Sequence, residues 1–232
     1  MGSLIDFQSN GDTASGYLAL PDGRRGPGVI VVQEWWGLDS GIKEMADRLA
    51  AAGFVALAPD LYHGELAGHT EMDKAGELMQ SLPPERAARD MSGAVDYLAE
   101  HDATTSDGIG VMGFCMGGML TFLLAAQRPD RIAAAVPFYG FPQGDSQPDY
   151  RDIEAAIQGH MAEHDDFFPP DAARALEAEL QAMGKDVTLT VHPGSGHAFM
   201  APHNALGTQD QALYDRIWPQ VTEFLRSHLP PN

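Results

Sequence analysis

The chain has 232 residues, 44% hydrophobic and 8% aromatic, enough for one sizeable core without a partner domain. Its 33 Asp and Glu against 14 Lys and Arg leave a formal charge of −19, a field that repels phosphate backbones and anionic membrane surfaces. One cysteine excludes an intrachain disulfide and a cysteine-based zinc site, there is no apolar run of membrane-spanning length, and the start, MGSLIDFQSNGD, has neither the basic nor the apolar region of a secretory signal. The expectation is a soluble, cytoplasmic, single-domain protein over 1–232, with no nucleic-acid or membrane partner.

In chain order, LIDFQ and SGYLALP flank an Asn10-Gly11 turn and read as a hairpin. GVIVVQ (28–33) is a continuous apolar run, the mark of a buried parallel strand. A helix follows, with Ile42, Met45, Ala46 and Leu49 on one face, Ser40 as its expected N-cap and Gly53 as its stop. FVALAPDL (54–61) is the next strand. Residues 62–84 are glycine-interrupted, with a helical stretch over 71–80. Ala87, Met91, Ala94, Val95 and Leu98 then make the apolar stripe of a longer helix. IGVMG (109–113) is a strand running into the helix MGGMLTFLLAAQ. AAAVPFYG (133–140), IQGHMAE (157–163) and VTLTVHP (187–193) are further strands, with a helix ending at Gly184 between the last two. The closing helix, 210–229, is expected to break at Pro219. Strands separated by helices imply crossovers, an α/β class and a mostly parallel sheet covered on both faces. Chemistry in such sheets gathers beyond the carboxyl ends of the strands.

Gly113-Phe114-Cys115-Met116-Gly117 occupies one such end. It is a G-x-nucleophile-x-G elbow with cysteine at the centre. A lone cysteine is more often a buried core residue. Glycines two before and two after it, on a strand-to-helix junction, reverse that weighting. The helix amino end favours a thiolate and a later oxyanion, and the Met116 N–H is the natural first oxyanion donor. The chain order nucleophile, acid, histidine is met by Asp165 or Asp166 and then His197, each after a strand. The bland alternatives are a solvated acidic cluster and an exposed loop histidine. Gln33-Glu34-Trp35-Trp36 follows the 28–33 strand, where this layout draws its second oxyanion donor, so the Trp35 N–H is the candidate. Glu34, between an apolar run and two tryptophans, is expected to be desolvated. A metal site built on His160 and His164 needs a helix for its four-residue spacing, and this stretch reads as strand and loop, so neither metal nor cofactor is expected.

The segments VVQEWWGL (31–38), FVALAPDLYHG (54–64), GVMGFCMGG (110–118), PFYG (137–140), HDDFFP (164–169) and GSGHAF (194–199) resemble, in this order, the dienelactone hydrolase family of the α/β-hydrolase superfamily. The resemblance implies an eight-stranded α/β-hydrolase sheet and a Cys115-His197-Asp165 triad, Asp165 being the first residue of the family's D-x-F-x-P pattern. It implies that Glu34 sits against the thiol at rest and that Tyr139 lines the site. Trp36 and Phe199, in matched segments, join Tyr139 as expected substrate contacts. It implies no cofactor and a small ester or lactone as substrate; monomer and homodimer both stay open. Two substrate arginines of the family have no counterpart: the position four after His197 is Ala201, and 66–76 contains no arginine. The expected reaction is therefore cleavage of a neutral ester or lactone through a cysteine acyl-enzyme. A thioesterase on the same scaffold, or a non-catalytic sensor with a vestigial pocket, is the alternative.

Overall fold

A computed structural model describes residues 1–231. Eight strands form one sheet in the order β1-β2-β4-β3-β5-β6-β7-β8. They are β1 (Ser3–Ser9), β2 (Asp12–Ala19), β3 (Gly28–Val32), β4 (Val55–Pro59), β5 (Ile109–Phe114), β6 (Ile132–Phe138), β7 (Ala156–His164) and β8 (Val187–Gly196). β1 and β2 pair antiparallel, as do β2 and β4; from β4 through β8 the pairing is parallel. Asn10 and Gly11 both take positive φ, 44° and 92°, as a tight hairpin turn matched to strand twist requires. Every residue of β3, β4 and β5 is buried, which is why these strands read as unbroken apolar runs.

Among the described residues six α-helices connect or cover the strands: α1 (Ser40–Ala51), α2 (Met72–Ser81), α3 (Pro84–Glu100), α4 (Met116–Gln127), α5 (Pro170–Ala182) and α6 (Gln211–His228). They pack on both faces and divide the core in two. One half holds Ile30, Val111, Met91 and Leu120. The other holds Val31, Met112, Leu49 and Ile217. Alternate residues of β3 and β5 thus point into opposite layers. Among the described residues no helix is long and apolar enough to cross a membrane.

Three local expectations need correction. The N-cap of α1 is Asp39, whose Oδ1 accepts from the Ile42 N–H at 2.9 Å, and Ser40 is the first helical residue. Both types cap well; the adjacent pair left the choice to tertiary contacts, and His69 fixes the second Asp39 oxygen at 2.7 Å. Pro219 does not interrupt α6, which runs unbroken through it. Proline leaves the Asp215 carbonyl without its donor, but that face is exposed to water, while Ile217, Val221 and Leu225 are buried on either side. Finally, β8 reaches Gly196 rather than 193, which sets His197 directly on the strand end.

Candidate active site

β5 delivers Cys115 and α4 begins immediately after it. Cys115 has φ 54° and ψ −115°, a left-handed conformation costly for any residue with a Cβ and held here by its surroundings. Its N–H donates to the Phe138 carbonyl at 3.0 Å, and its carbonyl accepts from Met119 at 3.2 Å. The flanking glycines are sterically required. A Cβ on Gly113 would strike the Gly117 carbonyl, and one on Gly117 would strike that of Val32. The sharp turn lifts the thiol clear of the sheet, into a cavity of about 500 Å³ that Glu34, Trp35, Trp36, Met116 and His197 also line.

Asp165 lies just past the end of β7. Its side chain is fully buried and its Oδ2 is 2.7 Å from His197 Nδ1. The other oxygen accepts from the N–H groups of Phe167 and Phe168, at 2.9 and 3.0 Å. Those amides fix the carboxylate, and the carboxylate fixes the imidazole, which leaves Nε2 as the edge available to the cavity. Asp166 is exposed. The His197 ring packs among Tyr139, Phe167 and Phe168, at centroid distances of 5.2, 4.9 and 5.9 Å, and its carbonyl accepts from the Thr208 hydroxyl.

The Met116 N–H faces the sulfur and favours its anion, but other influences outweigh it. Burial acts most strongly, followed by the Glu34 carboxylate, and together they push the Cys115 thiol well above the ordinary range. Asp165 adds in the same direction. The Trp35 N–H has no protein acceptor among the described residues.

Glu34 is buried, as its flanks predict. Its Oε2 is bonded not to the thiol but to His203 Nε2, at 2.8 Å. His203 Nδ1 accepts the Ala205 N–H at 3.0 Å, so neutral His203 carries its proton on Nε2 and donates it to Glu34. The Glu34 carboxylate raises the His203 pKa against the opposing effect of burial. The His203 ring stacks on His69 at 4.1 Å, and His69 in turn reaches Asp39. Ligand-type atoms of Asp39, His69 and His203 lie within 4.8 Å of one another. Metal ligation through His203 Nε2 would need the proton on Nδ1, where it would oppose the Ala205 N–H. The arrangement therefore reads as two hydrogen-bonded pairs, His203–Glu34 and His69–Asp39, joined by the stacked imidazoles. Sequence reasoning missed His69 altogether, because nothing local marks it as a partner of residues 30 and 134 positions away.

Trp36 lines the cavity. Tyr139 and Phe199 do not: both are fully buried beneath it, edge to face at 5.1 Å, with Tyr139 against the His197 ring. Burial, together with the nearby Glu34 carboxylate, keeps the Tyr139 hydroxyl protonated. Tyr139 thus backs the histidine, and Phe199 backs Tyr139. His160 and His164 do not converge on one site. His160 pairs with His192 at 3.0 Å inside the sheet layer, while His164 is exposed. Much of the remaining wall is apolar, from Met72, Met79, Met119, Phe141, Phe167 and Phe168, and no Lys or Arg lines it among the described residues.

Strand order, the cysteine elbow and the positions of acid and histidine define an α/β-hydrolase. Comparison with known proteins narrows the class. The dienelactone hydrolase family model matches residues 14–229. Protein usf of Aquifex pyrophilus is 41% identical over 99% of this chain and 100% of its own. A protein of Aquifex aeolicus named "Putative carboxymethylenebutenolidase" is 35% identical over 99% and 100%. The crystal structure of a dienelactone hydrolase-like promiscuous phosphotriesterase from metagenomic libraries superposes with a TM-score of 0.82 at 22% identity, covering 99% of each chain. The chain belongs to the dienelactone hydrolase family and is a hydrolase of the ester and lactone type.

Proposed function

We propose that this enzyme cleaves neutral carboxylic esters or lactones through a thioester at Cys115. The observation that carries the reading is the Asp165–His197 pair, buried and aimed into the cavity that Cys115 enters on a strained elbow. In the first half-reaction His197 Nε2 takes the thiol proton as sulfur bonds to the carbonyl carbon. The N–H groups of Met116 and Trp35 hold the oxygen that becomes negative. The intermediate collapses, His197 returns the proton to the departing alkoxide, and an acyl-cysteine remains. Water, deprotonated by His197, attacks the thioester; the sulfur leaves and recovers a proton from the imidazolium. Asp165 holds the tautomer throughout.

The cavity supports a neutral substrate. A carboxylate entering it would lose hydration without gaining a cation, and it would approach a protein of charge −19. Hydrolysis of p-nitrophenyl acetate and of cis-dienelactone, by wild type and Cys115→Ala, tests both parts. The acetate is expected to have the higher kcat/KM, and Cys115→Ala to lose both activities. Equal rates for variant and wild type would remove the cysteine mechanism; a clear preference for dienelactone would show that an anion site exists elsewhere in the wall.

Glu34 would act on the resting thiol. Two negative charges in a poorly solvated pocket oppose one another, so the sulfur keeps its proton until substrate alters its surroundings. Wild type should then react slowly with iodoacetamide near neutral pH and faster as the pH rises. Glu34→Gln should be alkylated faster at neutral pH yet turn over esters more slowly. If wild type reacts as fast as a Cys–His thiolate enzyme, or if Glu34→Gln changes neither rate, Glu34 has only a structural role.

A further inference from the structure

A second cavity, about 530 Å³, adjoins the first and shares Met79, Met116, Met119 and Ser146 with it. Two helix faces form most of its wall, and Leu82 with the loop residues Asp145, Ser146 and Gln147 completes it at the rim. From α4 come Met116, Met119, Leu120, Leu123 and Gln127; from α3 come Pro84, Ala87, Ala88 and Met91. Both sets recur at three- and four-residue spacing, so each is a single stripe along its helix. Ala87 and Ala88, with only a methyl group each, leave volume on the α3 side of the groove unfilled. At the far end the helices are tied together: Gln127 Nε2 donates to the Ala88 carbonyl at 3.4 Å, and Arg128 Nη1 to that of Ser92 at 3.2 Å. At the near end the partition is methionine. These side chains are unbranched and readily change shape to accommodate a neighbour. The mouth of the first cavity is apolar as well: Met72, Met79, Phe167 and Leu206 all line it while remaining 37% to 56% exposed. Exposed apolar groups gathered in one place mark a site for an apolar ligand.

We infer that the two cavities form one channel for a straight, saturated acyl chain, entered past Met116 and Met119 and ending at the Gln127–Ala88 tie. The inference rests on the proposed ester cleavage and names its substrate class. Direction follows from chemistry. The leaving group must lie beside His197, which protonates it, so the acyl substituent extends away from His197, toward α3 and α4. Length follows from helix geometry. The eleven steps from Met116 to Gln127 span roughly 16 Å at 1.5 Å per residue, and an extended chain advances about 1.3 Å per carbon, which sets the capacity near twelve carbons.

The test is a series of p-nitrophenyl esters from acetate to decanoate, below their aggregation limits, with alkyl acetates of matching length as the control series. Burying one methylene is worth about a threefold to fourfold gain when complete. Wild-type kcat/KM should rise at least tenfold from acetate to octanoate, and stay flat when the chain is placed in the alcohol. Leu123→Trp, or Ala88→Leu on the facing helix, should narrow the octanoate-to-acetate ratio several-fold in a folded protein, because each fills the groove. A flat or falling acyl series with Cys115-dependent acetate cleavage overturns the channel and leaves the hydrolase reading standing. A rise in the alkyl acetate series instead, or an unchanged ratio in both variants, also overturns it. Failure to cleave any ester removes the reading and the channel together.

Discussion

His197→Ala should abolish acylation, with kcat/KM for p-nitrophenyl acetate falling by three or more orders of magnitude, on the order of what loss of a triad base costs when base and nucleophile act as one unit. The thiol makes the expectation sharper than for an ordinary Cys–His pair. Burial and the Glu34 charge hold Cys115 protonated, so no standing thiolate can attack once the base is removed. Raising the pH should restore part of the rate by supplying thiolate directly. Stopped-flow release of p-nitrophenolate across pH 6 to 10 measures this. A variant retaining more than about a tenth of wild-type acylation would show that another group moves the proton.

Asp165→Asn should cost roughly 10³- to 10⁴-fold in kcat/KM, and Asp166→Asn little. The two residues are neighbours in sequence and opposites in environment. Asp165 is enclosed, with two backbone N–H groups on one oxygen and His197 Nδ1 on the other, while Asp166 faces solvent. Asparagine is nearly isosteric. However, the flip that keeps its oxygen on the Phe167 and Phe168 amides turns its NH₂ toward Nδ1. The imidazole must then accept at Nδ1 and carry its proton on Nε2, the wrong tautomer for a base facing Cys115. The expected phenotype is lost rate with a nearly unchanged melting temperature. The reverse ranking of the two variants would overturn the assignment.

The elements of this fold were largely legible because each carries a local signal. Parallel strands show as apolar runs, α1 and α3 as stripes of period 3.6, and the hairpin as Asn10-Gly11. The elbow at Cys115 was legible for a stronger reason: Gly113 and Gly117 answer a steric demand that no other residue meets. The misses share one cause, which is contact at long range. Whether Asp39 or Ser40 caps α1 depends in part on His69. Whether Pro219 breaks α6 depends on what lies under Ile217 and Val221. Tyr139 and Phe199 stand beside site motifs in sequence, and only tertiary packing shows that they turn inward. The His203–Glu34 bond joins residues 169 apart, and the groove between α3 and α4 draws Ala87 and Ala88 from one helix and Leu123 from the other, a combination no single-helix pattern contains.

The central claim is a covalent acyl group on Cys115. Rapid acid quench during turnover of a p-nitrophenyl ester, followed by intact-protein and peptide mass spectrometry, measures it most directly. The account predicts a mass increase of one acyl group, confined to the peptide carrying Cys115 and appearing with the first burst of p-nitrophenolate. Steady turnover with no adduct on that peptide, or an adduct on another residue, would contradict it.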